Sequence, residues 1–397
     1  MMGAQRGKSL QVSLLTGGDD PTYAIPLATA LADQGVHVEF VGNDEMARSE
    51  RLKRAAIDYV NLRGSQDPRA PIGAKIARIL RYYARLLTYA RRTDSRLFHI
   101  LWFNKFELVD RTLLNSFYKL MGKKLVFTAH NVNTQKRDGQ DTWLNRVTLR
   151  VLYALLDHIF VHTELSRVEL VRDYRVSPHK ITVIPFGLNT LVPDTTLSKV
   201  EARAVFGLGA EEKVILFFGQ IAPYKGLDLL VEALESLASS QPDCRLIIAG
   251  RAKPGAEPYW RALQSRLASD RLRGRALVKD GFIPAEEVPI LFMAADALAL
   301  PYRAIYQSGP LSLAYRFGVP VIAASVGSFP HDVIPDVTGF LCEPENPGDL
   351  ARTIRRYFDS ALYFKSDQTR KRIQEIAHER YSWDQIARTI AGIYARL

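Results

Sequence analysis

Apolar residues recur along this chain in two rhythms. Compact runs rich in Val, Ile, Leu and Phe at 12–15, 36–41, 97–102, 124–129, 159–162 and 181–185 read as strands, and so do 213–218, 245–249, 276–279, 297–300 and 319–324. Between them the apolar positions shift to helical spacing. The segment 22–34 is one such helix and stops at Gly35; Leu227, Leu230, Val231 and Leu234 mark another. Strands alternating with helices imply parallel sheets in an α/β architecture. At 397 residues the chain is long for one core. The pattern divides it into a first domain 1–190, a second domain 191–380 and a helical tail 381–397, with 187–193 as the linker.

Two loops in the second domain carry the clearest chemistry. The run Val214 to Phe218 stops at Gly219, and Gln220-Ile221-Ala222-Pro223-Tyr224-Lys225-Gly226 leads into the next helix. A strand, a glycine, a basic loop and a helix together set backbone N–H groups and a cation against a phosphate. Farther on, Gln307-Ser308-Gly309-Pro310 reads as a helix start. Ser308 is the cap, Gly309 lets a ligand approach the backbone, and Pro310 suits the first turn before Leu311. That helix ends at Gly318, ahead of Val319-Pro320. Two helix starts on glycine loops suit the two ends of one diphosphate.

These loops, with Gly17-Gly18, Thr128-Ala129-His130-Asn131, Val161-His162-Thr163-Glu164 and Val183-Ile184-Pro185-Phe186-Gly187, resemble the retaining nucleotide-sugar glycosyltransferases of family 4. The motifs span nearly the whole chain. The resemblance implies the GT-B fold: two doubly wound, Rossmann-like domains facing a cleft, with the last helix crossing back to the first domain. It implies a nucleoside-diphosphate sugar as donor, a glycan or polyprenyl-linked hydroxyl as acceptor, and no cofactor. Carried onto this sequence, His130 and Lys225 are the catalytic candidates. Gly17, Gly18, Gly219, Gln220, Arg251, Gln307, Ser308, Gly309, Pro310 and Leu311 join Lys225 in holding the donor. Asn131 and Arg137 face the acceptor. The family pattern is broken at three places. Its paired glutamates fall at Ile305 and Leu313, and the arginine usual after the first glycine is Gln220, with Arg251 as the replacement cation.

Composition narrows the setting. Cys244 and Cys342 are the only cysteines, so neither a disulfide framework nor a cysteine metal cluster is expected, and a reducing cytoplasm is the simple expectation. No Asp-x-Asp motif stands beside the donor loops, so the reaction is expected to need no metal. No apolar run approaches the roughly 18 residues that span a bilayer. The net charge of +11 is lopsided: residues 1–190 hold 28 Lys and Arg against 18 Asp and Glu, and residues 191–397 hold 25 against 24. A basic first half suits an anionic surface or acceptor.

Within that half, residues 75–92 project as a helix. Ile76, Ile79, Leu80, Tyr83, Leu86, Leu87 and Ala90 form one face, and Arg78, Arg81, Arg85 and Arg92 the opposite one. The apolar face reads as packed on the sheet, and the basic face as one that meets an anionic membrane from the cytoplasmic side. Two other classes compete with an enzyme in exopolysaccharide or cell-surface glycan synthesis. A non-catalytic GT-B partner subunit fits the absent glutamates. A nucleic-acid binder fits the charge, but no nucleic-acid motif accompanies it.

Overall fold

The computed structural model describes residues 10–18, 20–67, 69–104, 106–137 and 139–397, the side chain of Arg137 excepted. The chain forms two compact units, Met1–Gly187 with Tyr381–Leu397, and Leu188–Arg380.

The first unit carries seven strands: β1 (Gln11–Leu15), β2 (His37–Gly42), β3 (Ile57–Asn61), β4 (Leu97–Ile100), β5 (Lys124–Ala129), β6 (His158–Val161) and β7 (Ile181–Val183). Their order is β3-β2-β1-β4-β5-β6-β7, and every neighbouring pair is parallel. β1 and β4 have no exposed positions because helices cover the sheet, which is why their sequences are apolar runs without alternation. The chain reverses its direction of travel across the sheet between β1 and β4, and open sheets of this kind take ligands at that point. The tail returns to this unit. Its helix Trp383–Tyr394 packs on the helix Pro21–Asp33, with the Trp383 ring 5.0 Å from Tyr23 and the Tyr394 hydroxyl on His99.

The second unit repeats the design with β8 (Lys213–Phe218), β9 (Cys244–Gly250), β10 (Ala276–Asp280), β11 (Ala297–Leu300), β12 (Val321–Ala324) and β13 (Gly339–Cys342). The order β10-β9-β8-β11-β12-β13 is again all parallel and reverses beside its first strand, between β8 and β11. Ile215, Phe217, Ile248, Ala299 and Ile322 from four strands pack with Leu227, Leu230 and Leu234 into one core.

Three features differ from the sequence pattern. β3 was not expected, since its Asp58 and Asn61 interrupt the apolar run; it is an edge strand with a partly wet face. β13 was not expected either, because only Phe340 and Leu341, between Gly339 and Cys342, mark it as an apolar run. The helix at 75–92 begins earlier, at Ile72, and only its second half packs inward. Tyr82, Leu86 and Ala90 are buried, whereas Ile76 and Leu80, assigned to the packed face, are 54% and 63% exposed.

Candidate active site

In the second unit the donor loops converge through backbone constraints that admit only glycine. Gly219 ends β8 with φ +101, and its N–H donates to Ala249 O at 2.9 Å. A Cβ on Gly250, at the end of β9, would collide with the Gly219 carbonyl. Gly226 sits in the left-handed region at φ +65, and a Cβ there would run into the Pro301 carbonyl. Between them Pro223–Lys225 makes one 3-10 turn, which carries the Lys225 side chain inward. Lys225 is buried at 6% exposure, with its Nζ 5.5 Å from the Tyr302 ring centre. A Cβ on Gly219 would lie 2.9 Å from that ammonium and 3.6 Å from the Pro310 ring. The lysine, the end of β8 and the start of the helix Gly309–Arg316 therefore meet at one point.

The helix start is capped as its sequence implied. Ser308 Oγ accepts from the Leu311 N–H at 3.3 Å, and Pro310 follows in the first turn. The cap occupies the Leu311 amide, and proline has none, so the Gly309 N–H is the first main-chain donor of this helix open to a ligand. Gly309 is exposed, and a Cβ there would meet nothing within 4 Å. Gln307 is half-buried beside it. Gln220 and Arg251 are both exposed on neighbouring loops, which are joined by the Ile221 N–H donating to Arg251 O at 2.8 Å. Ile305 and Leu313 stand where the family places glutamates. The Ile305 carbonyl packs against Gly327, and Leu313 is buried in the core at 6% exposure.

One residue that ties this site together carries no role in the sequence reading. Arg303 donates two bonds to Asp228, at 2.9 and 2.7 Å, and a third to Pro223 O at 2.6 Å, while its N–H donates to Tyr224 O at 2.7 Å. It locks the loop after β11 to the lysine loop. Burial would raise the Asp228 carboxyl, but the Arg303 guanidinium and the Tyr259 hydroxyl outweigh it and hold the group below its usual range. A lone arginine in a tyrosine-rich loop gives no sequence sign of this pairing 75 residues away.

In the first unit Gly17 and Gly18 turn sharply after β1, at φ +61 and +74. A Cβ on Gly17 would lie 2.7 Å from Trp102 O, and one on Gly18 would overlap the Arg63 guanidinium. His130, one residue past β5, is buried inside an aromatic box. Trp102 stacks on it at 4.3 Å and 8°, and Tyr23 meets it edge-on at 4.6 Å. The ring partners assign its tautomer. His162 Nδ1 faces the Ile184 carbonyl at 3.2 Å and so must donate; the neutral ring then accepts at Nε2, which lies 3.1 Å from His130 Nδ1. His130 therefore carries its proton on Nδ1 and presents Nε2 as an acceptor. Burial holds His162 down at about 4 and His130 well below its ordinary value, so both are neutral at pH 7. The motif around His162 was recognised without a role for the residue. Its signal was the register: Ala129 and Val161 are cross-strand partners, so the next residues, His130 and His162, leave adjacent strands side by side.

Asn131 is half-buried and shares with His130 the lining of a cavity of about 150 Å³. Arg137 lies at the end of a short helix, Thr134–Arg137, with its side chain outside the described residues. Its neighbour Lys136 is paired with Glu169 and Asp173, at 3.1 Å each, and fastens this loop.

The model for Glycosyltransferase Family 4 matches residues 21–190, and that for Glycosyl transferases group 1 matches residues 198–380. The chain belongs to the group 1 glycosyltransferases of the GT-B class. This glycosyltransferase is 26% identical over 402 residues to the D-inositol 3-phosphate glycosyltransferase of Corynebacterium glutamicum, covering 94% of the chain and 90% of that protein. The protein of the same name from Mycolicibacterium smegmatis is 30% identical over 246 residues, 59% of the chain and 54% of that protein. Among solved structures, sucrose-phosphate synthase from Thermosynechococcus elongatus superposes with a TM-score of 0.76 at 20% identity, over 98% of each chain. HepE of Anabaena, solved with UDP and glucose, superposes with a TM-score of 0.74 at 19% identity, over 98% of this glycosyltransferase and 100% of that chain.

Proposed function

We propose that this glycosyltransferase moves a hexose from a nucleoside-diphosphate sugar to a hydroxyl of a glycan or lipid-linked acceptor, with retention, in the synthesis of an exopolysaccharide or cell-surface glycan. The observation that carries the reading is the convergence of the Lys225 ammonium with Gly219 and the exposed start of the helix at Gly309. A buried cation beside a helix N-terminus favours a diphosphate as charge develops on it. In a same-face displacement the bond from C1 of the sugar to the phosphate oxygen breaks while the acceptor oxygen bonds to C1. The acceptor proton passes to the departing phosphate, so no carboxylate base is required. His130 Nε2, held as an acceptor, would orient a sugar hydroxyl. Release of nucleoside diphosphate from a panel of UDP-, GDP- and ADP-hexoses tests the reading, and the anomeric coupling constant of the product tests retention. No turnover with any donor, together with no diphosphate binding, overturns it. Ligand-dependent thermal shifts report the binding.

The apolar Leu313 and Ile305 favour a second reading, a partner subunit that keeps the fold and binds a nucleotide without catalysis. Binding of nucleoside diphosphates without any hydrolysis or transfer would select it.

We also infer that the first unit docks on an anionic membrane from the cytoplasmic side. Ile72, Ile76 and Leu80 form an exposed apolar edge on the helix Ile72–Arg92, and Arg81, Arg85 and Arg92 are exposed on its other side, a combination suited to the interface of anionic lipid. Among the described residues no helix is long and apolar enough to cross a membrane. Ile76→Asp with Leu80→Asp should abolish sedimentation with anionic vesicles at low salt, and equal binding by the variant sinks the idea.

A further inference from the structure

The transfer chemistry gives His162 no task, yet its surroundings supply one. It leaves β6 beside His130, which leaves β5, and its Nε2 lies 3.1 Å from His130 Nδ1. On its other side His162 Nδ1 meets the Ile184 carbonyl at 3.2 Å. Ile184 is itself pinned to the sheet, its N–H donating to Val161 O at 2.8 Å. A carbonyl only accepts, so the direction of this chain of bonds is set from the backbone outward. Ile184 O accepts the His162 Nδ1–H, His162 Nε2 accepts the His130 Nδ1–H, and His130 Nε2 carries no hydrogen.

Turning either imidazole over would reverse that order, and the packing opposes it. Trp102 lies parallel to His130 at 4.3 Å, Tyr23 meets His130 edge-on at 4.6 Å, and Phe186 meets His162 edge-on at 5.2 Å and 86°. The identity of the orienting group matters as well. A carboxylate behind a histidine stabilises the imidazolium and makes the ring a base that takes a proton. A neutral imidazole backed by a carbonyl does not. Burial and the neighbouring His162 ring together hold His130 well below its ordinary value. His130 therefore accepts a hydrogen bond and leaves the proton on its owner. An imidazole nitrogen without a hydrogen binds a group that brings one, such as a hydroxyl. An ether oxygen or a fluorine would meet it lone pair to lone pair.

We propose that His162 is a positioning residue: by accepting the His130 Nδ1–H it makes the site select a sugar hydroxyl that donates to His130 Nε2. The selection of a sugar rests on the glycosyltransferase reading above, whereas the tautomer of His130 stands apart from it.

The test uses the full chain with isotope-labelled histidine rings. Long-range nitrogen–proton correlation spectra at pH 7, where both rings are neutral, report which nitrogen of His130 carries the proton, and His130→Gln assigns its signals. His162→Phe keeps a ring and deletes the acceptor; His162→Gln keeps both an acceptor oxygen and an N–H. The wild type and the glutamine variant should show Nδ1–H on His130, and the phenylalanine variant a shift to Nε2–H. The kinetic readout compares the hexose nucleotide that turns over fastest with analogues in which one hydroxyl other than that on C2 is fluorine. Fluorine cannot donate, so the wild type should reject one analogue at least tenfold in kcat/KM, His162→Phe should lose that rejection and His162→Gln should restore it. Nε2–H on His130 in the wild type, or an unshifted Nδ1–H in a folded phenylalanine variant, overturns the lock. The wild-type spectrum decides it even where that variant does not fold. Equal rejection of every analogue by all three chains overturns the selection. The expected spectra without turnover of any donor overturn the enzymatic reading, and with it the selection, and leave the lock supported.

Discussion

Removing the Lys225 charge while keeping its shape is the most direct test of the donor site. Lys225→Met keeps an unbranched stem against Tyr302 and deletes the ammonium. Two estimates bound the effect. A cation about 4 Å from a phosphate oxygen contributes about 4 kcal/mol at the effective dielectric of a partly buried site. Loss of one preorganised donor to a developing oxyanion typically costs about 2.7–4 kcal/mol. The wild-type side chain also bears the cost of keeping a charge at 6% exposure before any ligand arrives. Relief of that cost partly offsets the loss of attraction, so the expected loss of transition-state stabilisation is about 2–4 kcal/mol, or roughly 30- to 1000-fold in kcat/KM. The loss should fall mainly on kcat, because charge accumulates on the diphosphate as it leaves. Affinity for the nucleoside diphosphate should drop as well, since the product carries that charge. Stability should be unchanged or raised, as a neutral thioether replaces a buried ammonium in a packed cleft. Lys225→Arg should not rescue, because the longer planar group has no room between Gly219 and Pro310, whose ring is 3.6 Å from the position of a Gly219 Cβ. Initial rates across donor concentrations, calorimetric titration with the nucleoside diphosphate and a thermal melt decide the matter. A folded methionine variant with kcat/KM within threefold of the wild type would refute the placement of Lys225 at the diphosphate.

Four further outcomes are expected. Gly309→Val should keep the fold, since a side chain there points into open space, yet lower nucleoside-diphosphate affinity at least tenfold by calorimetry; native affinity would remove the helix start from the site. Gly226→Ala should cost about 2–4 kcal/mol in denaturant unfolding, because it combines a left-handed backbone with a collision against the Pro301 carbonyl. Arg303→Met should raise the donor KM more than it lowers kcat, by freeing the lysine loop from the loop after β11; unchanged KM would show that the clamp does not position the site. His162, held at about 4 against 6.5 when unfolded, is a base with a depressed value, so its contribution is complete above about pH 6.5 and is lost as pH falls toward 4. That contribution is of order 3 kcal/mol, and His162→Gln should flatten the loss of stability between pH 7 and pH 4.5 in urea titrations.

The fold was legible wherever burial on both faces makes a strand uniformly apolar. The runs at 12–15, 124–129, 213–218 and 297–300 show it, and each lies within one residue of an observed strand. It was illegible at the sheet edges. β3 alternates with Asp58 and Asn61 because one of its faces meets water, and β13 offers only Phe340 and Leu341 between Gly339 and Cys342, too little apolar sequence to stand out from the loops around it. The helix at 72–92 was found by its period, but period alone does not say where packing stops. Its first two turns carry the same apolar spacing as the rest, yet Ile72, Ile76 and Leu80 are left exposed among the described residues.

The site shows the same division in sharper form. Glycines were the readable part, because a position where a Cβ would strike a backbone atom leaves no other residue to write there; Gly226 and Gly250 record such collisions, and Gly219 a positive φ that side chains rarely adopt. Side-chain pairings were the unreadable part. Arg303 with Asp228, and His162 with His130, join residues 75 and 32 positions apart, and either partner alone looks like an ordinary loop residue. This asymmetry bears on the missing glutamates. Leu313 faces the core of the second unit, so the loss of a carboxylate there is absorbed by packing and leaves the glycine and lysine geometry intact. The part of the site that grips a diphosphate depends on backbone shape and one buried cation. The part that would select a base or a sugar depends on a few exchangeable side chains, and that is where this chain departs from its family.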